Sequence, residues 1–491
     1  MNMNRISAVW SLFLVLVLTL LAGCGGNSSS RTNTNTTVPL SANNINLVFV
    51  VSPDLAYHAP GDINPDTANL TNQGLQRSLL MATYLKKQVL GTKNVTSIYV
   101  LEPMTHLQTA NNYPDMAAIG YIQQFALLNQ ITLTGVGGAG SPFYTANSFP
   151  LNASPVTSSA AKPLDFCPDC QGLDFNDTGS DNVALVAGII KLDVPGFYVF
   201  SAPWETISAL MANINAQQGY NLSLPASFQG PNLVYAISIT PKGFASLVTY
   251  NSNLTPPSTY PVLPTPVASA SCPGPSTTPQ LFNIAATAGV ITAGINTNET
   301  MYLIRHAEAH PWSGWDDGNF VAAGQWRALA LPDALKGKIS PTQVYSIDPA
   351  QVYPGAYITA GNSSFSYVRP SLTAWPYAIA NNLPYYLVSE FEIFDPSSPS
   401  ATVQYFFFDP KFSGQTILLA WEHAHFPPII NALLNYYPNG GAQALATDAW
   451  PSNDYDTIWT VKLDGQGNLT VSNALCEGID STALPDTAPP F

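Results

Sequence analysis

Arg305 and His306 stand side by side in Met301-Tyr302-Leu303-Ile304-Arg305-His306-Ala307-Glu308. An imidazole can attack phosphorus, and a guanidinium matches phosphate oxygens with paired hydrogen bonds, so the two could form a phosphoryl acceptor with its own anion clamp. Alone, such a pair is more often a salt-bridged arginine and a satisfied histidine at a strand end. Further on, Trp421-Glu422-His423-Ala424-His425 follows another apolar run, and Arg369 precedes a helical stretch with Thr373 one turn later. Beyond residue 280 the only arginines are Arg305, Arg327 and Arg369. In a chain of net charge −14, a local cationic pocket is where a phosphate would be welcome. Arg327 reads as a structural or solvated residue on a helix face, and His425 as a bystander or a substrate contact.

These side chains need strand ends to hold them. Met301 to Ile304 and Thr416 to Trp421 are short, apolar and rich in β-formers, the pattern of buried strands. Each delivers its histidine at the C-terminal edge, where open α/β sheets bind ligands. Val321 to Leu329 opens a helix, Val344 to Ile347 is a strand, a helix runs near Pro427 to Asn435, and Asp456 to Leu463 is the final strand. Upstream the order recurs: strand Asn46 to Val51, a helix opening at Leu70, strand Ser97 to Leu101, then an irregular stretch. Strand Phe197 to Ser201 and helix Glu205 to Asn213 follow. Alternating strands and helices predict an α/β fold with mostly parallel sheets covered on both faces.

The two halves align in pieces that keep their order, with Phe49 to Pro53 on Tyr302 to His306 and Gly74 and Arg77 on Gly324 and Arg327. Ile98 to Pro103 falls on Val344 to Pro349, and Thr105 to Ala110 on Arg369 to Ala374. This pattern is that of an internal duplication. It sets Pro53 at the position of His306, so the first half reads as a copy without the chemistry.

Length and composition are consistent with this. A chain of 491 residues is too long for one ordinary core. With 9% charged residues and a negative net charge, nucleic acid is excluded as a partner. Residues 1–23 have the form of a signal peptide: Arg5, an apolar run from Val9 to Leu21, and the ending Leu21-Ala22-Gly23-Cys24. Residues 24–44 read as a flexible tether. Proline-rich residues 251–280 read as a linker between domains at 45–250 and 281–491. Export leaves Cys167, Cys170, Cys272 and Cys476 for disulfides, with a Cys272–Cys476 bridge able to staple the linker to the second domain.

The Cys24 motif resembles a bacterial lipobox, which implies cleavage before Cys24 and lipidation of its thiol. Four motifs in order make residues 297–463 resemble the histidine phosphatase superfamily, the phosphoglycerate mutase-like proteins. They are Arg305-His306-Ala307-Glu308, Val321 to Ala328, Arg369 to Ala374 and Trp421-Glu422-His423. The resemblance implies two tandem three-layer α/β/α domains. It also implies hydrolysis of a small phosphomonoester or phosphoanhydride without cofactor or metal. His306 would carry the phosphoryl group, and Arg305, Arg369 and His423 would hold its oxygens. Glu308 and His425 are candidate substrate contacts, and the proton donor falls among Glu390, Glu392 and Asp395. Ala307 and Ala424-His425 depart from the family's glycines. The expected setting is the cell envelope, membrane-bound through lipid. The alternative is a scaffold or phosphate-binding lipoprotein that keeps the fold without turnover.

Overall fold

A computed structural model describes residues 38–55, 61–101, 115–129, 181–272, 279–286, 294–309, 318–347, 367–388 and 399–491, with a few short strands between them. The signal and lipobox, Cys167 and Cys170, and Glu390, Glu392 and Asp395 lie outside the described residues, as does the Thr105–Ala110 segment. Among the described residues no helix is long and apolar enough to cross a membrane.

The first half contains β1 (Ile45–Val51), α1 (Asn72–Tyr84), β2 (Ser97–Leu101), α2 (Ala117–Leu127), β3 (Leu151–Ser154) and α3 (Asp181–Leu192). It ends with β4 (Gly196–Ala202), α4 (Trp204–Gln218), β5 (Leu233–Ile239) and β6 (Ala245–Asn251). The second half begins with β7 (Leu281–Ile284), β8 (Glu299–Arg305), α5 (Ala322–Ala334), β9 (Gln343–Ile347), α6 (Arg369–Ala380) and β10 (Tyr385–Val388). It continues with α7 (Pro399–Phe407), β11 (Thr416–Trp421), α8 (Phe426–Leu434), β12 (Thr457–Leu463) and β13 (Leu469–Cys476).

From edge to edge the first sheet runs β6-β5-β1-β4-β2-β3 with the two-residue strand Asn33–Thr34 added outside β6, and the second runs β13-β12-β8-β11-β9-β10 with β7 added outside β13. The pairing directions correspond as well. β1–β4, β4–β2 and β2–β3 are parallel, as are β8–β11, β11–β9 and β9–β10. β1–β5 and β5–β6 are antiparallel, as are β8–β12 and β12–β13. The sheets are therefore mixed: a parallel core carrying an antiparallel wing. Strands β5, β6 and β13 fall in stretches for which no element was expected, and helices α2 and α3 fall in the stretch expected to be irregular. Their alternation is weaker than that of the central strands.

Strand pleating separates the layers. Ile45, Leu47, Phe49 and Val51 face the α3/α4 side, whereas Val48 and Val50 face α1 and α2. In the second sheet Met301 and Leu303 pack toward α7 and α8, and Ile304 toward α5 and α6. The inner helix layers of both halves belong to one continuous hydrophobic core. Helix α2 is buried along its whole length, its apolar residues in the core and its two glutamines hydrogen-bonded, Gln123 to Asn319 and Gln124 to the Pro489 carbonyl. A side chain at Gly120 would put its Cβ 1.7 Å from the Trp375 ring. Across the same junction Gln123 and Asn319 exchange amide hydrogen bonds of 2.9 Å, and Trp375 Nε1 donates to Asn69 Oδ1 at 3.1 Å.

Two expectations change here. The halves are not separate bodies on a linker, because their inner helices share a core. Residues 251–272 form an ordered strap: Leu254, Tyr260, Leu263 and Val267 pack on that core, and Tyr260 donates to the Leu329 carbonyl at 3.0 Å. Proline fixes φ without needing an N–H partner, so the segment can lie on the surface without joining a sheet. Cys272 is disulfide-bonded to Cys476, the pairing anticipated, with Cα atoms 5.6 Å apart.

Candidate active site

β8 ends at Arg305, and the His306 amide donates to the Trp421 carbonyl at 2.9 Å, so the nucleophile candidate leaves the sheet tied to the end of β11. His306 is 1% exposed. Its Nδ1 lies 2.7 Å from the Ala307 carbonyl oxygen, which can only accept, so Nδ1 carries the proton and Nε2 faces the site. The Ala307 amide donates to Thr373 Oγ1 at 2.8 Å, and that hydroxyl donates to the Arg369 carbonyl at 2.7 Å. Thr373 thereby couples the first turn of α6, which carries Arg369, to the loop holding His306.

Arg305 is buried. Its Nη1 donates to the carbonyls of Ser452 and Asp454, its guanidinium carbon sits 3.9 Å from the centre of the Tyr455 ring, and Nε has no hydrogen-bond partner. The segment it grips is fixed by Asp454, whose carboxylate accepts from the Asp456 and Thr457 amides at 3.0 and 3.1 Å. Arg369 lies over Tyr367 at 4.6 Å. Burial pushes the His306 imidazolium down to about 4, and the charges of Arg369 and Arg305 push the same way against the pull of Glu422. Burial and the two guanidiniums thus favour the neutral imidazole that a nucleophile requires, while the neighbouring Glu422 opposes them.

His423 sits in a short 3-10 turn after β11 and hydrogen-bonds through Nδ1 to Glu422 Oε1. Glu422 Oε2 lies 3.0 Å from His306 Nε2 and accepts from the Tyr367 hydroxyl at 2.7 Å. Arg305, His306, Arg369 and His423 are thus gathered around the ends of β8 and β11 and the start of α6. Glu422, Tyr367 and Tyr455 join them and were not singled out in the sequence. The signal for Glu422 was its place directly before His423 at a strand end. Tyr367 lies two residues before Arg369, outside any motif.

Glu308 is placed differently from the substrate contact it was expected to be. It is fully buried, its carboxylate accepting from Arg327 Nε and from the Ser481 hydroxyl, both at 2.8 Å. Arg327 is fully buried too, not solvated, and also binds Glu477 and the Ile479 carbonyl, with Asp456 at 3.6 Å. Burial pushes Glu477 up to about 8, so this network holds a proton at neutral pH. The arrangement recurs in the first half. Arg77 Nε binds Asp62 at 2.8 Å, and Gly74, like Gly324, admits the carbonyl of the acidic residue where a Cβ would collide. An acid–arginine lock present in both halves is structural in both. His425 stacks on the Trp421 ring at 4.6 Å, and burial lowers it to about 4.

The strand register also corrects the alignment of the halves by one residue. The Ser52 amide donates to the Ala202 carbonyl at 2.9 Å as His306 does to Trp421, so Ser52, not Pro53, occupies the position of His306. Helix α2, preceded by Asp115, packs on α1 as α6, which begins with Arg369, packs on α5; Thr105, the expected counterpart of Arg369, lies outside the described residues. Near this strand end, Asp54, Asp115 and Glu205 form a group of buried carboxyls. Burial raises Asp115 well above the usual carboxylate range, and burial together with Asp54 raises Glu205 to about 8. Among the described residues, the grouping of metal-ligating types is Cys272, Asp456 and Cys476, and both cysteines are spent in the disulfide.

No protein-family profile matches this chain, and no curated protein does. Solved structures with partial similarity include a protein assigned as the phosphohistidine phosphatase SixA of Agrobacterium tumefaciens. It is 14% identical, covers 34% of this chain and 93% of its own, and has a TM-score of 0.24. A mycobacterial glucosyl-3-phosphoglycerate phosphatase is 11% identical over 37% of this chain and 99% of its own, with a TM-score of 0.24. A phosphoserine phosphatase of Entamoeba histolytica is 15% identical over 43% and 98%, with a TM-score of 0.23. All three are named as phosphatases, and the likeness spans 34–43% of this chain.

Proposed function

We propose that this protein is a phosphatase that moves a phosphoryl group from a small phosphomonoester or phosphoanhydride to His306 Nε2 and then to water. The observation that carries the reading is a buried neutral imidazole, pinned through Nδ1 to the Ala307 carbonyl, with the Arg305 and Arg369 guanidiniums beside it. In such a site the guanidiniums bind the non-bridging oxygens and stabilise the charge that spreads over them during transfer. His423 adds a donor on the same side. The first half, with Ser52 at the nucleophile's position, is a duplicated copy without turnover; the matching strand order and the shared acid–arginine lock support this.

We place the mature chain in a bacterial envelope, anchored through lipid on Cys24. The Leu21-Ala22-Gly23-Cys24 sequence and the Cys272–Cys476 disulfide support an exported, oxidising setting. The test is release of inorganic phosphate by the purified chain across a panel of phosphomonoesters and phosphoanhydrides. His306→Ala and Arg369→Ala should each lose at least about 10²-fold in kcat. A second reading, a binder of phosphorylated ligands without turnover, is favoured by the Glu422 carboxylate resting on Nε2. Ligand binding with no phosphate release by the wild type would select it.

A further inference from the structure

We infer that Glu422 is the proton-transferring catalytic residue of this site, an inference that rests on the phosphatase reading above. Among the described residues it is the carboxyl group in contact with the reacting nitrogen, at 3.0 Å from His306 Nε2. Since Nδ1 already spends its proton on Ala307, the Nε2–Oε2 contact needs one more proton, which imidazole and carboxyl share. That resting state contains both reagents the first step requires. Handing the shared proton to the carboxyl leaves a free lone pair on Nε2 and an acid beside it.

The surroundings say when the hand-over occurs. Burial by itself raises the Glu422 carboxyl, and what outweighs it is the charge and hydrogen bond of His306, with His423 and Arg305 adding to the pull. An entering phosphoryl group displaces the carboxyl from Nε2 and brings negative charge. The His306 contribution is then lost, burial prevails, and Glu422 keeps the proton. Tyr367, bonded to Oε2, and His423, bonded to Oε1, retain the displaced carboxyl at the site.

The chemistry balances in two steps. The lone pair of Nε2 forms the N–P bond while the P–O bond to the leaving group breaks, and Glu422 gives its proton to the departing oxygen. Water then forms a P–O bond as N–P breaks, Glu422 takes one proton from the water, and inorganic phosphate leaves. The cycle returns the shared proton to the His306–Glu422 pair.

The experiment compares p-nitrophenyl phosphate, whose phenolate departs without a proton, with glycerol 2-phosphate, whose alkoxide needs one. With Glu422→Gln, kcat on glycerol 2-phosphate should fall by about 10² or more and on p-nitrophenyl phosphate by less than about tenfold, while an acid-labile label accumulates on His306. Glu422→Asp, which keeps a titrating carboxyl, should recover part of the alkyl ester rate. Should Glu422→Gln not fold, the wild type carries the test, because its kcat should depend little on leaving-group acidity. An equal fall on both esters, a rise in rate on removing the carboxylate, or a steep leaving-group dependence in the wild type overturns the inference. The first two assign Glu422 a packing role and a blocking role respectively. No phosphate release by the wild type from either ester, or from the wider panel, is a different result: it overturns the phosphatase reading itself.

Discussion

Replacing Arg327 with methionine removes a buried cation from between three carboxyl groups and a carbonyl. The side chain donates to Glu308, Glu477, Ser481 and the Ile479 carbonyl, and neither it nor Glu308 or Glu477 has side-chain exposure. Breaking a buried ion pair from one side costs about 3–5 kcal/mol, because the partner stays buried and unpaired. Glu308, Glu477 and Asp456 lose their common partner, which puts the expected loss near 4 kcal/mol, and burial already pushes Glu477 up to about 8. Against a typical total of about 5–15 kcal/mol this is a severe change.

The assay is denaturant unfolding of the oxidised chain at pH 5.5 and pH 8. Buried acids whose folded pKa is raised contribute their stability below the unfolded pKa and lose it as pH rises through the folded one. The deficit of Arg327→Met should therefore be larger at pH 8 than at pH 5.5. Arg77→Met should likewise lower stability, since Arg77 grips Asp62 and Asn232 Oδ1. A deficit below about 1 kcal/mol together with loss of turnover would refute the reasoning and return Glu308 and Arg327 to the substrate site.

Other outcomes follow from the same geometry. Thr373→Val should lower kcat by about tenfold or more with little change in unfolding midpoint, because it unties the Ala307 amide from α6; kcat and denaturation measured on one preparation decide it. The acid limb of kcat should lie near 4, set by protonation of His306 as pH falls, and a limb near 6.5 would contradict the burial argument. Gly120→Val should destabilise by about 1–3 kcal/mol through collision with Trp375, read in thermal unfolding, whereas independent halves would tolerate it. Reducing the Cys272–Cys476 bridge, which spans 204 residues, should cost about 2–5 kcal/mol.

What was legible in the sequence followed from strong local patterns. β1, β4, β8 and β11 read correctly because they are buried on both faces and carry continuous β-branched and aromatic runs. Gly74, Arg77, Gly324 and Arg327 aligned because one close backbone approach and one buried ion pair are required in each half. Strands β5, β6 and β13 and helix α2 did not read, since what fixes them is packing against remote elements: α2 can be buried along its whole length because the other half covers it. Arg305, His306, Arg369 and His423 could be grouped because strand ends of one sheet edge converge. The inward turn of Glu308 could not be read. Its partner Ser481, and Glu477, which shares Arg327 with it, come from the far end of the chain, and nothing near Glu308 in sequence announces them. Glu422 was hidden for a simpler reason: its neighbour His423 carried the motif.

The most direct measurement is rapid acid-free quench of the full chain during turnover of a labelled phosphomonoester, followed by peptide mapping. The account predicts one acid-labile, base-stable phosphoryl group on His306, absent in His306→Ala. Turnover without that label, or a label on any other residue, contradicts it.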